Sequence, residues 1–429
     1  MVSHGNGHSL QDKAQAKMQD NAHDGAAIQT PHRVLVLGSG YSGLWAAANA
    51  ADVARECGEP LSITLVSKDG YLEHRPRLYE KNPDGLRVAV GPLTEPLGIK
   101  LVVGMATLIN TREKTVSVAT ESGTQVFGYD RLVLATGSEL RQLPIPGMAE
   151  FAWNVDSYKG AKALDDHLRA IAGALTTPAN NTFVIIGAGM TGIELATEMR
   201  DRLEEHAGVD AAANARIVLV ERGAQVGPSF GDEPRPVIEQ ALALAQVELR
   251  LGTGVALVRK DSVTLTTGEV IPTATTVMTV GMSANALTEQ IPGKRDDSGR
   301  LHVDDNLRVI GVEHVYATGD VAYAFVDDGN VAMMSCQNSR TMGKYAGRNA
   351  ASDLLGQPFR RYRQSDYTTC LDLGRFGAVF TDGFDRKLKL SGPEAKKRKR
   401  WINTELINPP NPGSADQILA AMRIDERGR

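Results

Sequence analysis

Short apolar runs that end in glycine punctuate this chain. Val34-Leu35-Val36-Leu37 is apolar throughout and leads into Gly38, the pattern of a strand buried on both faces of a parallel sheet. Gly38-Ser39-Gly40-Tyr41-Ser42-Gly43 follows, then the helix-prone Leu44-Trp45-Ala46-Ala47-Ala48 and a second strand pattern at 61–66. This order predicts a βαβ unit. It recurs further along: Phe183-Val184-Ile185-Ile186 runs into Gly187-Ala188-Gly189-Met190-Thr191-Gly192, a helix begins at Ile193, and a strand follows at 216–220. Two copies of one supersecondary unit imply two nucleotide sites or a duplicated domain.

Between the copies, residues 115–118 and 125–127 alternate around Ser122-Gly123 like antiparallel strands, and 262–265 with Gly268-Glu269 reads as a second hairpin. Two more buried strands end in Ala135-Thr136-Gly137 and in Ala317-Thr318-Gly319-Asp320, and a helix is predicted over 333–355. Strand and turn signals return from Arg360 onward. The expected fold is α/β: two Rossmann-like three-layer domains, the second inserted in the first, plus a small C-terminal α+β region. The expected boundaries are a disordered polar tail at 1–31, a first domain at 32–155 and 281–350, an inserted domain at 156–280, and a C-terminal region at 351–429.

The spacing G-x-G-x-x-G has a physical purpose. The first glycine makes the turn, the second lets backbone approach a pyrophosphate, and the third lets helix pack on strand. The free N–H groups and partial positive charge of the helix N-terminus then face the phosphates. At the end of the second strand of the second unit stands Glu221, whose carboxylate accepts ribose hydroxyls and repels a 2′-phosphate. That favours NADH; Arg222 beside it leaves NADPH open. The corresponding place in the first unit holds Ser67, followed by Lys68, where an acid is usual.

Composition narrows the function further. A net charge of −4 gives no electrostatic footprint for nucleic acid. No stretch reaches the ~20 apolar residues of a membrane-spanning helix, and the polar first thirty residues lack the core of a signal peptide. The three cysteines, Cys57, Cys336 and Cys370, form no close pair. This argues against a disulfide framework and against a dithiol electron relay, and it fits a reducing cytosol. No metal-ligand set is assigned.

With these motifs in order, the chain resembles the two-dinucleotide-binding-domain flavoproteins, and among them the type II NADH dehydrogenases (NADH:quinone oxidoreductases). The resemblance covers roughly 33–355 and rests on both glycine turns, on Ala135-Thr136-Gly137-Ser138, Pro144-Ile145-Pro146-Gly147, Ile193-Glu194-Leu195-Ala196 and Ala317-Thr318-Gly319-Asp320. It implies FAD on the first unit, held by Gly38, Ser39, Gly40, Tyr41, Ser42, Gly43, Ser67, Thr136, Gly137, Gly319 and Asp320. It implies a nicotinamide cofactor on the second, held by Gly187, Gly189, Met190, Thr191, Gly192, Glu221 and Gly281. Arg75, in His74-Arg75-Pro76-Arg77-Leu78-Tyr79, fits either the segment that passes the FAD pyrophosphate or a solvated surface charge.

The resemblance also supplies two candidate catalytic residues. Glu194 stands where the family places a glutamate near nicotinamide and flavin, in substrate handling or proton transfer; a first-turn glutamate serving the helix dipole is the plain alternative. Gln337 matches the first glutamine of the family's Ala-Gln-x-x-Gln acceptor pattern, but Arg340 replaces the second.

The expected reaction is hydride transfer from NADH to flavin N5, then two electrons to a quinone or quinone-like acceptor. A reductase of one small metabolite and a reductase of a small iron–sulfur protein are the rivals. The five-cation run at 396–400 fits a solvated helix face or contact with anionic lipid. The expected setting is therefore cytoplasmic, with peripheral contact on the inner face of the membrane and a homodimer both left open.

Overall fold

The computed structural model describes residues 1–2 and 31–425, so nearly all of the polar tail expected to be disordered lies outside the described residues. The apolar run before Gly38 forms the strand His32–Leu37, with Val34 to Leu37 at most 2% exposed. It sits at the centre of a five-stranded sheet. The strand order is Val315–Ala317, Arg131–Leu134, His32–Leu37, Leu61–Ser67 and Lys100–Val103, every pairing parallel. A sheet buried on both faces needs apolar residues at successive positions, which is why these strands read as continuous runs.

A second five-stranded parallel sheet repeats the design. Its order is Ala152–Asn154, Thr275–Met278, Thr182–Ile186, Arg216–Glu221 and Val247–Leu251. The alternating segments form three-stranded antiparallel sheets, one over 105–128 and one over 255–272. The expected α/β fold with two Rossmann-like units is thus borne out.

Each central strand turns into a long helix, α1 (Tyr41–Cys57) in the first unit and α2 (Met190–Ala207) in the second. Helix α3 (Cys336–Leu354) begins three residues later than the periodicity predicts. Ser335 sets the start: it is extended at φ −156°, and its hydroxyl accepts the Asn338 amide hydrogen at 3.2 Å. Past α3, strands Thr368–Asp372, Ala378–Asp382 and Lys387–Ser391 form an antiparallel sheet, and the basic run lies on helix α4 (Gly392–Trp401) against it.

Helices α1 and α3 approach unusually closely. A methyl group at Gly343 would stand 2.2 Å from the Ser42 carbonyl oxygen, and one at Gly347 1.9 Å from that of Ala46. Facing them, Ala46, Ala47, Ala48 and Ala50 are fully buried. Small residues on both helices let backbone meet backbone, so the late helix is clamped onto the first nucleotide-site helix. The terminal helix Ala415–Met422 joins this stack, where Asn49 Nδ2 donates to the Met422 carbonyl at 3.0 Å.

Gly347→Ala should lower stability by about 3 kcal/mol, since a tightly packed backbone contact cannot admit a methyl without moving a helix. Gly173→Ala, where the methyl meets nothing within 4 Å, should change it by less than ~0.5 kcal/mol. Urea unfolding of the two variants beside the parent protein checks both values.

Candidate functional site

The three glycines of each turn do three different things. Gly38 and Gly187 adopt φ of 103° and 104°, open to glycine alone at little cost. Gly43 and Gly192 pack against their own turns: an added methyl would lie 1.7 Å from the Gly38 carbonyl oxygen and 1.8 Å from that of Gly187. Gly40 and Gly189 face open space, with nothing within 4 Å of an added methyl. Both caps lack a side-chain hydrogen bond, so the N–H groups around Tyr41 and Ser42, and around Met190 and Thr191, are left for a phosphate. The cradles have the shape that a pyrophosphate requires.

The ends of the second strands differ as their residues differ. Glu221 accepts hydrogen bonds from Ala188 N at 2.8 Å and Gly223 N at 2.7 Å, which fixes its carboxylate beside the second turn. In the first unit, Ser67 Oγ lies 2.6 Å from Ser39 Oγ and accepts Gly70 N at 2.9 Å. Ser39, the residue after the first glycine, also donates to the Tyr71 carbonyl at 2.8 Å. A buried serine pair therefore ties turn to strand end where the second unit uses a carboxylate.

Arg75 is not a solvated surface charge. Its Nη2 meets Asp156 Oδ1 at 2.5 Å, Nε donates to the Asp156 carbonyl at 3.0 Å, and Nη1 donates to Ser138 Oγ at 3.1 Å. Asp320 completes the group, accepting from Ser138 Oγ at 2.6 Å and Ser339 Oγ at 3.1 Å with Arg75 Nη1 at 3.9 Å. Gly319 holds φ 73° and packs on Ser42, since a methyl there would fall 2.6 Å from Ser42 Oγ. Arg75, Asp320 and the first turn are thus brought together from segments far apart in sequence.

Close by, Gly137 at φ 72° faces Arg75 Nη1. The buried Thr136 and Thr318 hydroxyls have no hydrogen-bond partner among the described residues. Two orphaned hydroxyls at the mouth of an open glycine turn suit a polar ligand lying between the strand ends. Gly281, at φ 74° and exposed, lies two residues past Thr279, whose hydroxyl donates to the Gly187 carbonyl at 3.0 Å, and its own carbonyl accepts Arg141 N.

Sequence alone gave no sign of the partners around Glu194. Its carboxylate, 3% exposed on α2, accepts Lys399 Nζ at 2.8 Å and Asp372 N at 3.0 Å. Lys399, 5% exposed, also donates to the Cys370 carbonyl, and Lys396 pairs with Asp372. Two cations of the basic run therefore point inward, which corrects its reading as a wholly solvated or lipid-facing stretch. Burial pushes the Glu194 carboxyl above the ordinary range, and Lys399 partly offsets this. One turn on, Glu198 accepts no hydrogen bond among the described residues, and burial, together with Asp201 and Asp372, pushes it to about 7.

Gln337 lies on the first turn of α3, its amide donating to the Asp366 carbonyl at 3.3 Å. Burial raises both nearby thiols, Cys370 to about 12, so neither is a thiolate near neutral pH. No group of three or more His, Cys, Asp or Glu suited to a metal stands among the described residues.

A fold with two glycine-turn cradles, each at a strand end on a parallel sheet, is that of a two-dinucleotide oxidoreductase. Residues 20–343 match the pyridine nucleotide-disulphide oxidoreductase family, and the chain belongs to it. Over 392 residues it is 44% identical to an NADH dehydrogenase-like protein of Mycobacterium tuberculosis, covering 91% of this chain and 97% of that one. Over 398 residues it is 24% identical to a type II NADH:quinone oxidoreductase of Staphylococcus saprophyticus, covering 88% and 96%. The structure of NDH2 from Plasmodium falciparum superposes with a TM-score of 0.74 at 15% identity, over 88% of this chain and 95% of that one. The resemblance carried by the motifs is borne out. The family's name notwithstanding, all three cysteines are free.

A carboxyl whose folded value is raised stabilises the fold below its unfolded value and loses that contribution as pH climbs through the folded value. Wild-type stability should accordingly fall between pH 4.5 and about 7. Glu198→Gln should remove on the order of 2 kcal/mol of that fall, read from denaturation midpoints at pH 5 and pH 8.

Proposed function

We propose that this chain is an FAD-dependent NADH oxidoreductase whose second substrate is a quinone or quinone-like acceptor. The observation that carries the reading is the repeated glycine turn, once beside Arg75 and Asp320 and once beside Glu221. FAD, bound at the first turn, supplies the two-electron carrier between a hydride donor and an acceptor that takes electrons. Residues 32–155 with 281–350 hold it, and residues 156–280 hold NADH.

Gly40 admits the pyrophosphate and the α1 N-terminus offers it free amide hydrogens. Asp320, already accepting two serine hydroxyls, is the polar anchor for the polyol chain, and the Thr136 hydroxyl has no partner among the described residues. Glu221, fixed by two amides, has its carboxylate set for the ribose hydroxyls of NADH and against a 2′-phosphate. Burial raises the Glu194 carboxyl to about 7, so it can take up and release a proton near neutral pH, and Lys399 fixes where it points. Reduction of a quinone consumes two protons, so a poised buried carboxyl has a use there.

The three free thiols fit a reducing, cytoplasmic setting. No described helix is long and apolar enough to cross a membrane. Contact with a membrane-borne quinone is therefore peripheral.

Purified protein should carry bound flavin, visible as a yellow absorbance band, and NADH should bleach it. In stopped-flow experiments NADH should outpace NADPH at least tenfold, and Glu221→Ala should narrow that margin; a preference for NADPH would contradict the reading. Glu194→Gln should retain its flavin yet turn over a short-chain quinone about 100-fold more slowly. A protein that neither holds FAD nor can be reconstituted with it would overturn the assignment.

A further inference from the structure

Arg340 is an unusual residue to find in this place. It follows Ser339, which donates to Asp320, and it lies one turn into α3, whose Gly343 packs against Ser42 of the first glycine turn. Its guanidinium is partly buried and, among the described residues, makes one hydrogen bond, from Nη1 to the Leu406 carbonyl. The groups that favour its charge are the Cys336 thiol and the Tyr41 hydroxyl, neither of them a carboxylate, and burial holds its pKa below the ordinary value. Several cations of the neighbouring segments have an acid beside them instead. Arg77 pairs with Glu80, Lys396 with Asp372, and Lys399 with Glu194.

A guanidinium presents five N–H donors in a planar fork, and here most of them find no protein acceptor. The unbonded nitrogens of Arg340 are not sealed from solvent, so they stay open to an anionic ligand. The surroundings say what else that ligand carries. Leu406, whose carbonyl takes the one hydrogen bond, is 39% exposed, and Met333, whose carbonyl accepts Asn338 Nδ2 on the same first turn of α3, is 41% exposed. Exposed apolar side chains on the two segments that flank this cation, one at the start of α3 and one at Leu406, suit an apolar ring that bears an anionic substituent.

We propose that Arg340 sets acceptor specificity by pairing with an anionic group, a carboxylate or sulfonate, on an otherwise apolar quinonoid acceptor. This rests on the proposed function for the redox step, though not for binding. Arg340 is a positioning residue here, since the pairing forms one charge-assisted contact and transfers no electron or proton.

Two measurements on the FAD-loaded enzyme test it. Calorimetric titration with naphthalene-2-sulfonate, which cannot be reduced, should show binding to the wild type, about tenfold weaker binding to Arg340→Gln, and near-wild-type binding to Arg340→Lys. In turnover, the ratio of KM for 1,4-naphthoquinone-2-sulfonate to KM for 1,4-naphthoquinone should rise about tenfold in Arg340→Gln. That ratio cancels any general loss of activity, and flavin absorbance confirms that the variants are folded. Equal affinity of wild type and Arg340→Gln for naphthalene-2-sulfonate would overturn the proposal, as would an unchanged KM ratio. If NADH bleaches the flavin and neither quinone reoxidises it, the quinone reading fails, while the titration still decides the role of Arg340.

Discussion

Backbone contact between α1 and α3 is the constraint on which the candidate site depends. Gly343 and Gly347 have no side chain because the Ser42 and Ala46 carbonyls occupy the space one would need. The consequence is positional. With α3 held at that distance, Ser339 reaches Asp320, Gly319 rests on Ser42, and Asp320 comes within 3.9 Å of Arg75. The stretches around residues 75, 320 and 339 are drawn onto the turn at 38–43 by a contact that has no chemistry of its own. A larger residue on α3 would separate the Asp320 group from the turn before it disturbed any polar contact directly.

A second constraint is the balance of buried charge. Glu194, Asp372, Lys396 and Lys399 join α2, the C-terminal sheet and α4. Removing one member of such a group leaves another charge buried without a partner, which is far costlier than losing a surface pair. The C-terminal region is thereby coupled to the second nucleotide unit, because the carboxylate it secures stands five residues into the helix that starts at that unit's glycine turn. Arg340 differs from Lys396 and Lys399 in having no carboxylate within ion-pair distance among the described residues.

What could be read in advance followed the range of the physics involved. The two βαβ units were legible because parallel strands must be apolar throughout and because each glycine in the turn answers to a contact within a few residues, such as Gly43 against Gly38. The partners of Arg75 and Glu194 were not legible. Asp156 and Lys399 lie 81 and 205 residues away from them, and no local pattern encodes a pairing at that range. The run at 396–400 shows the difficulty: helical period alone turns two of its five cations inward, yet composition sees one charged block. The late start of α3 was encoded, in Ser335 as a cap, but periodicity outweighed it.

The two nucleotide units also show how one fold meets one geometric need with different chemistry. At the second turn a carboxylate at the strand end accepts a turn amide; at the first, two serine hydroxyls share a hydrogen bond in the same place. The carboxylate fixes the turn and, on the proposed function, would bring a negative charge to a ribose there and so disfavour a phosphate. The serine pair fixes the turn and brings none, and Ser67 at 1% exposure has little surface left to meet a ligand. On the proposed function, recognition at the first site would fall to the backbone of the turn and to Asp320 with Ser138, Ser339 and Arg75. That group is held in place by α3, so the packing of two helices would also set the grip on a dinucleotide.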